Sequence, residues 1–270
     1  MKQIELNNGV QMPQIGLGVW QAKDGQEVVR AIHWALESGY RHIDTASIYK
    51  NEEGVGQAIQ TALVDREQIF LTTKIWNNDI RARRTKEALK ESLDRLQTSY
   101  VDLLLLHWPV DHFEEAWLAL EEAYQAGQAK AIGLSNFMPE QIEKVIEIGS
   151  VIPAVNQIEY HPYLTQADVT QVCEKHGIVV TAWSPLMQGH FKNESLFADI
   201  AAAHGKTPAQ VVLRWGIQRD VIIIPKSTNQ GRIQENFELF DFELSTEEMQ
   251  QINDLERGRR FGPDPRNFDF

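Results

Sequence analysis

The sequence predicts one (β/α)₈ barrel, the TIM-barrel architecture, as a single domain over residues 1–270. Three observations lead there. The 270-residue chain has no Pro/Gly/Ser-rich linker or composition break, and α/β barrels commonly reach this length as one domain. Short apolar runs alternate with amphipathic stretches from end to end, about eight of each. Runs such as 101–106 and 221–224 lack polar alternation, as parallel strands covered on both faces do. Repeated β-then-α units with right-handed crossovers favour a closed barrel, with a doubly wound open sheet as the runner-up.

Taken in order, Asn8-Gly9 between two alternating stretches predicts a type I′ hairpin capping one end of the barrel, and residues 14–18 the first barrel strand. The next strands are expected at 41–43, 69–73, 101–106, 129–134, 154–158, 178–182 and 221–224. Helical spacing of Ala, Leu, Ile and Val falls at 25–38, 52–63, 83–97, 113–126, 139–148, 166–175, 195–218 and 229–237. Pro139 and Pro208 sit in first turns, and Gly39, Gly127 and Gly177 stand where helices stop. Residues 256–270, which include Phe261, Phe268 and Phe270, read as an irregular C-terminal loop over the active site.

Composition narrows the function. At 43% hydrophobic and 24% charged residues the chain can bury a core. With 38 acidic against 26 basic side chains its formal charge is -12, so a nucleic-acid partner is not expected. The single cysteine, Cys173, closes no internal disulfide and makes no thiolate metal site, which fits a reducing, cytoplasmic setting. No apolar run is long enough for a membrane span or a signal peptide, and with no coiled-coil seam a monomer is the simplest expectation. No His-x-His follows the first strand, no His-Glu-x-x-His occurs, and His107 with His112 is a poor ligand pair. No metal is expected.

Barrel enzymes carry their chemistry at the carboxyl ends of strands. After the second strand come Asp44 and Tyr49; the third ends at Lys74, the fourth at His107-Trp108, the fifth at Ser135-Asn136, the sixth at Gln157, the seventh at Trp183-Ser184 and the eighth at Lys226-Ser227. A tyrosine is a weak acid at neutral pH, but an adjacent ammonium stabilises its phenolate and makes it a better proton donor. A carboxylate beside a buried lysine keeps that lysine charged, and a histidine can orient a substrate oxygen. Each of these residues has an ordinary structural use; Asp44, Tyr49, Lys74 and His107 together suit reduction of a carbonyl to an alcohol.

Further motifs carry a resemblance. Gly39-Tyr40-Arg41-His42-Ile43-Asp44-Thr45-Ala46, followed by Tyr49, Asn51-Glu52 and Val55-Gly56, resembles the aldo-keto reductase superfamily, as does Ile224-Pro225-Lys226-Ser227 through Arg232 to Glu235-Asn236. Thr72-Thr73-Lys74-Ile75-Trp76, Leu105-Leu106-His107-Trp108-Pro109, Gly133-Leu134-Ser135-Asn136-Phe137 and Asn156-Gln157-Ile158-Glu159 match it in order. Trp183-Ser184-Pro185-Leu186 with Gln188-Gly189 resembles the bacterial branch that includes 2,5-diketo-D-gluconate and methylglyoxal reductases. That branch often has glycine where this chain has Met187.

The resemblance implies a metal-independent enzyme that reduces small aldehydes, α-dicarbonyls and ketones with NADPH. Tyr49 is then the general acid, Lys74 and Asp44 tune it, and His107 orients the carbonyl. Ser135, Asn136 and Gln157 hold the carboxamide and Trp183 stacks on the nicotinamide, with Ser184, Leu186, Gln188, Thr228, Glu235 and Asn236 also on the cofactor and Trp20, Trp76 and Trp108 walling the substrate pocket. Gly16-Leu17-Gly18 is followed by Gln21 where a Rossmann fingerprint needs a third glycine. Lys226, Ser227 and Arg232 at the start of a helix offer another phosphate site, and two cations suit the 2′-phosphate of NADP. Some members of this superfamily act as binding modules on channels, and an intact tetrad argues for turnover instead.

Overall fold

The computed structural model describes residues 2–270. Strands β1 (Gln3–Glu5) and β2 (Gln11–Pro13) form an antiparallel hairpin. Eight parallel strands follow: β3 (Leu17–Gly18), β4 (His42–Asp44), β5 (Phe70–Ile75), β6 (Leu103–Leu106), β7 (Ile132–Ser135), β8 (Val155–Glu159), β9 (Val179–Trp183) and β10 (Ile222–Ile223). Each pairs with its neighbour in sequence. Parallel bridges Ile15–Ile223 and Gly18–Lys226 join the two ends, and the Gly16 N–H donates to the Ile223 carbonyl at 2.9 Å. The sheet therefore closes into the expected barrel, and the open doubly wound alternative is excluded.

Helices pack on the outside, most of them linking successive strands and the last two following β10. They are α1 (Gln26–Glu37), α2 (Glu52–Gln60), α3 (Asn77–Arg81), α4 (Thr85–Leu96), α5 (Phe113–Gln125), α6 (Pro139–Ile148), α7 (Ala167–Lys175), α8 (Ser195–His204), α9 (Pro208–Gln218), α10 (Gln230–Phe237) and α11 (Thr246–Asn253). Their apolar faces and the outward strand residues Ile43, Leu71, Leu104 and Leu106 make the main core. Inside the barrel, Phe70, Leu103, Leu105, Val155 and Ile222 join Leu6 and Met12 of the hairpin in a second cluster. The hairpin thus seals the amino-terminal end of the barrel.

Three expectations need correction. The hairpin loop is not a type I′ turn, which needs positive φ at both central residues: Gly9 has φ 83° but Asn8 does not share it. The Gly9 N–H instead donates to the Leu6 carbonyl and the Leu6 N–H to the Val10 carbonyl, giving a three-residue loop. The resulting register opposes Ile4 to Met12, so Ile4, Leu6, Val10 and Met12 share one face toward the barrel; a two-residue turn would slip the register and split that set. Residues 195–218 are two helices, because Gly205 (φ 63°) ends α8 and a Thr207–Gln210 capping box starts α9 at Pro208. Helices α3 and α11 are additions: α3 has five residues, too few for a periodic signal, and α11 lies beyond the last strand, with Ser245–Glu248 as its capping box.

Candidate active site

Within a strand alternate residues face the same way, and this parity brings the chemistry together. Phe70, Thr72 and Lys74 share the inward face of β5, as do His42 and Asp44 of β4 and Val155, Gln157 and Glu159 of β8. Polarity rises along the barrel axis from the Leu6–Met12 plug, through the His42–Thr72 pair (3.1 Å), to Asp44 and Lys74 at the carboxyl end. Tyr49 reaches the same end from a short 3₁₀ turn, Ser47–Tyr49, closed by Lys50 in the left-handed conformation (φ 54°). Asn51 fixes this loop: its amide donates to the Val19 and Ala22 carbonyls, and its oxygen accepts from Thr45 Oγ1.

Lys74 Nζ donates to Asp44 Oδ1 (2.6 Å), to the Thr45 carbonyl (2.8 Å) and to Tyr49 Oη (3.4 Å). Asp44 Oδ2 accepts from Gln157 Nε2 at 2.7 Å. Burial opposes the charge on Lys74, but Asp44 and the Tyr49 hydroxyl outweigh it and hold the ammonium above the usual lysine range. Burial pushes Tyr49 up, and Lys74 opposes that rise without cancelling it. The expected lowering by Lys74 is present but is the smaller effect, so the hydroxyl stays protonated at neutral pH. His107 packs edge-on to Tyr49 (ring centroids 5.8 Å) and to Trp76 (5.1 Å). Burial, and then Lys74, push its imidazole well below the usual histidine range. The group beside Tyr49 is neutral, with one proton to donate.

A second polar chain borders this set. Asn136, left-handed at φ 64°, donates to the His107 carbonyl (3.0 Å) and Ser135 Oγ (3.1 Å), and accepts from Trp183 Nε1 (2.8 Å). Ser135 Oγ donates to the Gln157 carbonyl. After β9 the backbone has positive φ at Ser184, Met187, Gln188 and Gly189. Met187 therefore takes the backbone conformation a glycine favours while its side chain is fully buried. Leu186 is half-buried, and Gln188 Nε2 donates to the Phe261 carbonyl.

At the end of β10 the Lys226 and Arg232 side chains are exposed and have no hydrogen-bond or ion-pair partner among the described residues. Asn229 caps α10, accepting from the Arg232 N–H, and Ser227 Oγ accepts from the Asn229 N–H. Two unpaired cations at a helix start, in a chain of net charge -12, fit a bound anion. Thr228 is half-buried and Asn236 buried nearby, while Glu235 accepts from Thr207 Oγ1.

The C-terminal loop lies over this end of the barrel. Phe270 stacks parallel to Trp76 at 5.8 Å, and Phe268 and Phe270 lie 4.9 and 5.1 Å from Trp108. Phe261 sits apart from them, against His161, Tyr163 and His190. Trp20 is 49% exposed. Cys173 is buried in α7, its thiol pushed up to about 12 by burial, and no cluster of three metal-ligating side chains occurs among the described residues. Sequence reasoning missed the Thr45 carbonyl as a Lys74 partner, and Glu159, whose carboxylate receives the tail. Strand parity with Gln157 was the available signal for Glu159.

Comparison with known proteins gives a consistent result. The family model described as aldo/keto reductase family matches residues 14–257. The chain is 48% identical over 270 residues to a 9,11-endoperoxide prostaglandin H2 reductase of Trypanosoma cruzi, covering 98% of this chain and 95% of that protein. It is 47% identical to the methylglyoxal reductase DkgA of Escherichia coli K12, over 98% and 97% of the two chains. A crystal structure of an aldo/keto reductase from Brucella melitensis superposes with a TM-score of 0.91 at 44% identity, covering 94% of this chain and 99% of that one.

Proposed function

The chain belongs to the aldo/keto reductase family and is an oxidoreductase acting on carbonyls, and from that premise we propose that it reduces small aldehydes, α-dicarbonyls and ketones with NADPH, Tyr49 supplying the proton. The observation that carries this reading is the buried chain Asp44–Lys74–Tyr49 beside a neutral His107. NADPH, when bound, supplies the hydride. Lys226, Ser227 and Arg232 would hold its 2′-phosphate, Trp183 its nicotinamide face, and Ser135, Asn136 and Gln157 its carboxamide.

His107 orients the substrate oxygen toward Tyr49, donating one hydrogen bond from its neutral ring. The carbonyl carbon accepts the hydride and its oxygen accepts the Tyr49 proton, so the product is an alcohol and Tyr49 is left as phenolate. Lys74 stabilises that phenolate across 3.4 Å, and Asp44 keeps Lys74 charged through the cycle. Trp76, Trp108 and Phe270 pack together beside His107 and offer apolar walls, which suit a small carbonyl compound.

The test is oxidation of NADPH by methylglyoxal, followed by absorbance and run beside NADH and the Tyr49→Phe variant. Turnover preferring NADPH and falling roughly 10²–10⁴-fold in the variant is expected, the range for loss of a positioned acid. Turnover unchanged in Tyr49→Phe would remove Tyr49 from the role. Lys226→Ala combined with Arg232→Ala is expected to erase the preference for NADPH; an undiminished preference would place the 2′-phosphate elsewhere.

A further inference from the structure

Glu159 ends β8 on the inward face, and its side chain is completely buried. It takes no part in the Asp44–Lys74–Tyr49 chain. Its oxygens instead accept from the Phe261 N–H (2.7 Å), from the Gly262 N–H (3.2 Å to each oxygen) and from His161 Nε2 (3.1 Å), with Arg260 Nη1 at 3.9 Å. Burying a carboxylate is costly unless several donors meet it. Here two consecutive main-chain amides of the C-terminal loop do so, and the loop is held to the barrel mouth at that point.

The consequence falls on Trp183. A Cβ added to Gly262 would lie 2.3 Å from Trp183 Cη2, 2.7 Å from Cζ3 and 3.4 Å from Glu159 Oε2. Gly262 therefore lies against the six-membered ring of the indole, whose N–H is held from the other side by Asn136 Oδ1 (2.8 Å). The neighbouring Phe261 stacks on His190 at 4.4 Å and 12° and accepts from Gln188 Nε2, tying the loop after β9 to the same point.

We propose that Glu159 is a positioning residue for the reduction: by docking the Phe261 and Gly262 amides it sets Gly262 against Trp183, and so fixes the indole in the plane that receives the nicotinamide. This inference rests on the reading of Trp183 as the nicotinamide platform. It makes the C-terminal loop part of the cofactor site as well as the roof of the substrate pocket. The absence of a side chain at 262 is then a requirement of cofactor binding, because any Cβ there must displace the indole or lift the loop.

The test measures NADPH affinity by quenching of tryptophan emission, and carbonyl turnover, in the full chain and in Gly262→Ala, Glu159→Gln and Trp183→Phe variants. Gly262→Ala is expected to raise the Kd for NADPH about tenfold, the size of a forced repacking. In a Trp183→Phe background, which removes the ring atoms the new Cβ would meet, that penalty should largely vanish. A purely structural role for the glycine would lower Tm without this non-additivity. Glu159→Gln is expected to raise the Kd in the same direction; if it does not fold, Gly262→Ala and the double variant decide alone. Normal NADPH binding by the unsubstituted chain with unchanged Kd in Gly262→Ala would overturn the proposal and leave the functional reading standing. No NADPH binding by the unsubstituted chain would overturn both.

Discussion

Lys74 and Asp44 form a buried ion pair, with side chains 0% and 2% exposed and 2.6 Å apart. Removing one partner leaves the other charge buried and unpaired, so Lys74→Met is expected to cost roughly 3–5 kcal/mol of stability, together with the carbonyl reductase activity. The double variant Asp44→Asn/Lys74→Met should regain most of that stability and none of the activity, measured by denaturant unfolding beside steady-state rates. Recovered activity would show that the charge on Lys74 is dispensable. At this scale much was legible from sequence: Asp44, Lys74, Gln157 and Trp183 end apolar runs, and the structure brings them to one mouth of the barrel. The net pKa direction of Tyr49 was not legible, since it depends on how deeply the ring is buried, and burial outweighs the lysine. Glu159 escaped for a related reason. Strand parity places it on the inward face with Gln157, but its partners lie in a tail without periodicity, so the contact itself is not readable from spacing.

Elements were read best where period and punctuation agree. The β-then-α alternation gave the barrel, and Gly39, Gly127 and Gly177, all with positive φ, do follow helix ends. The hairpin is present as expected but with a different turn, because Asn8-Gly9 is compatible with two loop lengths and the choice is made by which register buries Leu6 and Met12. Met12 is fully buried under the barrel floor, so Met12→Ala is expected to cost about 2–5 kcal/mol while leaving kcat unchanged, since the tetrad is at the opposite end. A fall in kcat matching the fall in stability would show that the floor and the mouth are coupled. The strand seam makes a different demand. A Cβ on Gly18 would lie 2.9 Å from the Ile224 carbonyl oxygen, and Gly18→Val should lower stability by about 1–3 kcal/mol through forced overpacking.

For the molecule as a whole, acid stability follows from histidines buried without charge. His42 is fully buried between Phe70 and Thr72, and burial lowers it from 6.5 to about 4, with Asp44 partly offsetting. Between those values the unfolded chain takes up a proton that the folded chain refuses. Stability is therefore complete above the ordinary histidine range and falls with pH, by roughly 3 kcal/mol from His42 alone once the pH reaches its folded value. His107, also lowered, adds in the same direction. Tm should drop between neutral pH and about pH 5, and the drop should be shallower in His42→Gln; an equal drop would assign the acid sensitivity to other groups. The closure of the barrel has a last consequence, for how the chain is made. Seven of its strand pairings join segments adjacent in sequence, whereas the Ile15–Ile223 and Gly18–Lys226 bridges join opposite ends of the chain. A nascent chain on the ribosome can zip up seven strands and still lack β10, and until Ile222 and Ile223 emerge β3 and β9 are open edges with unpaired amides. Until that final strand arrives, these two edges offer templates for mispairing that the closed barrel no longer presents.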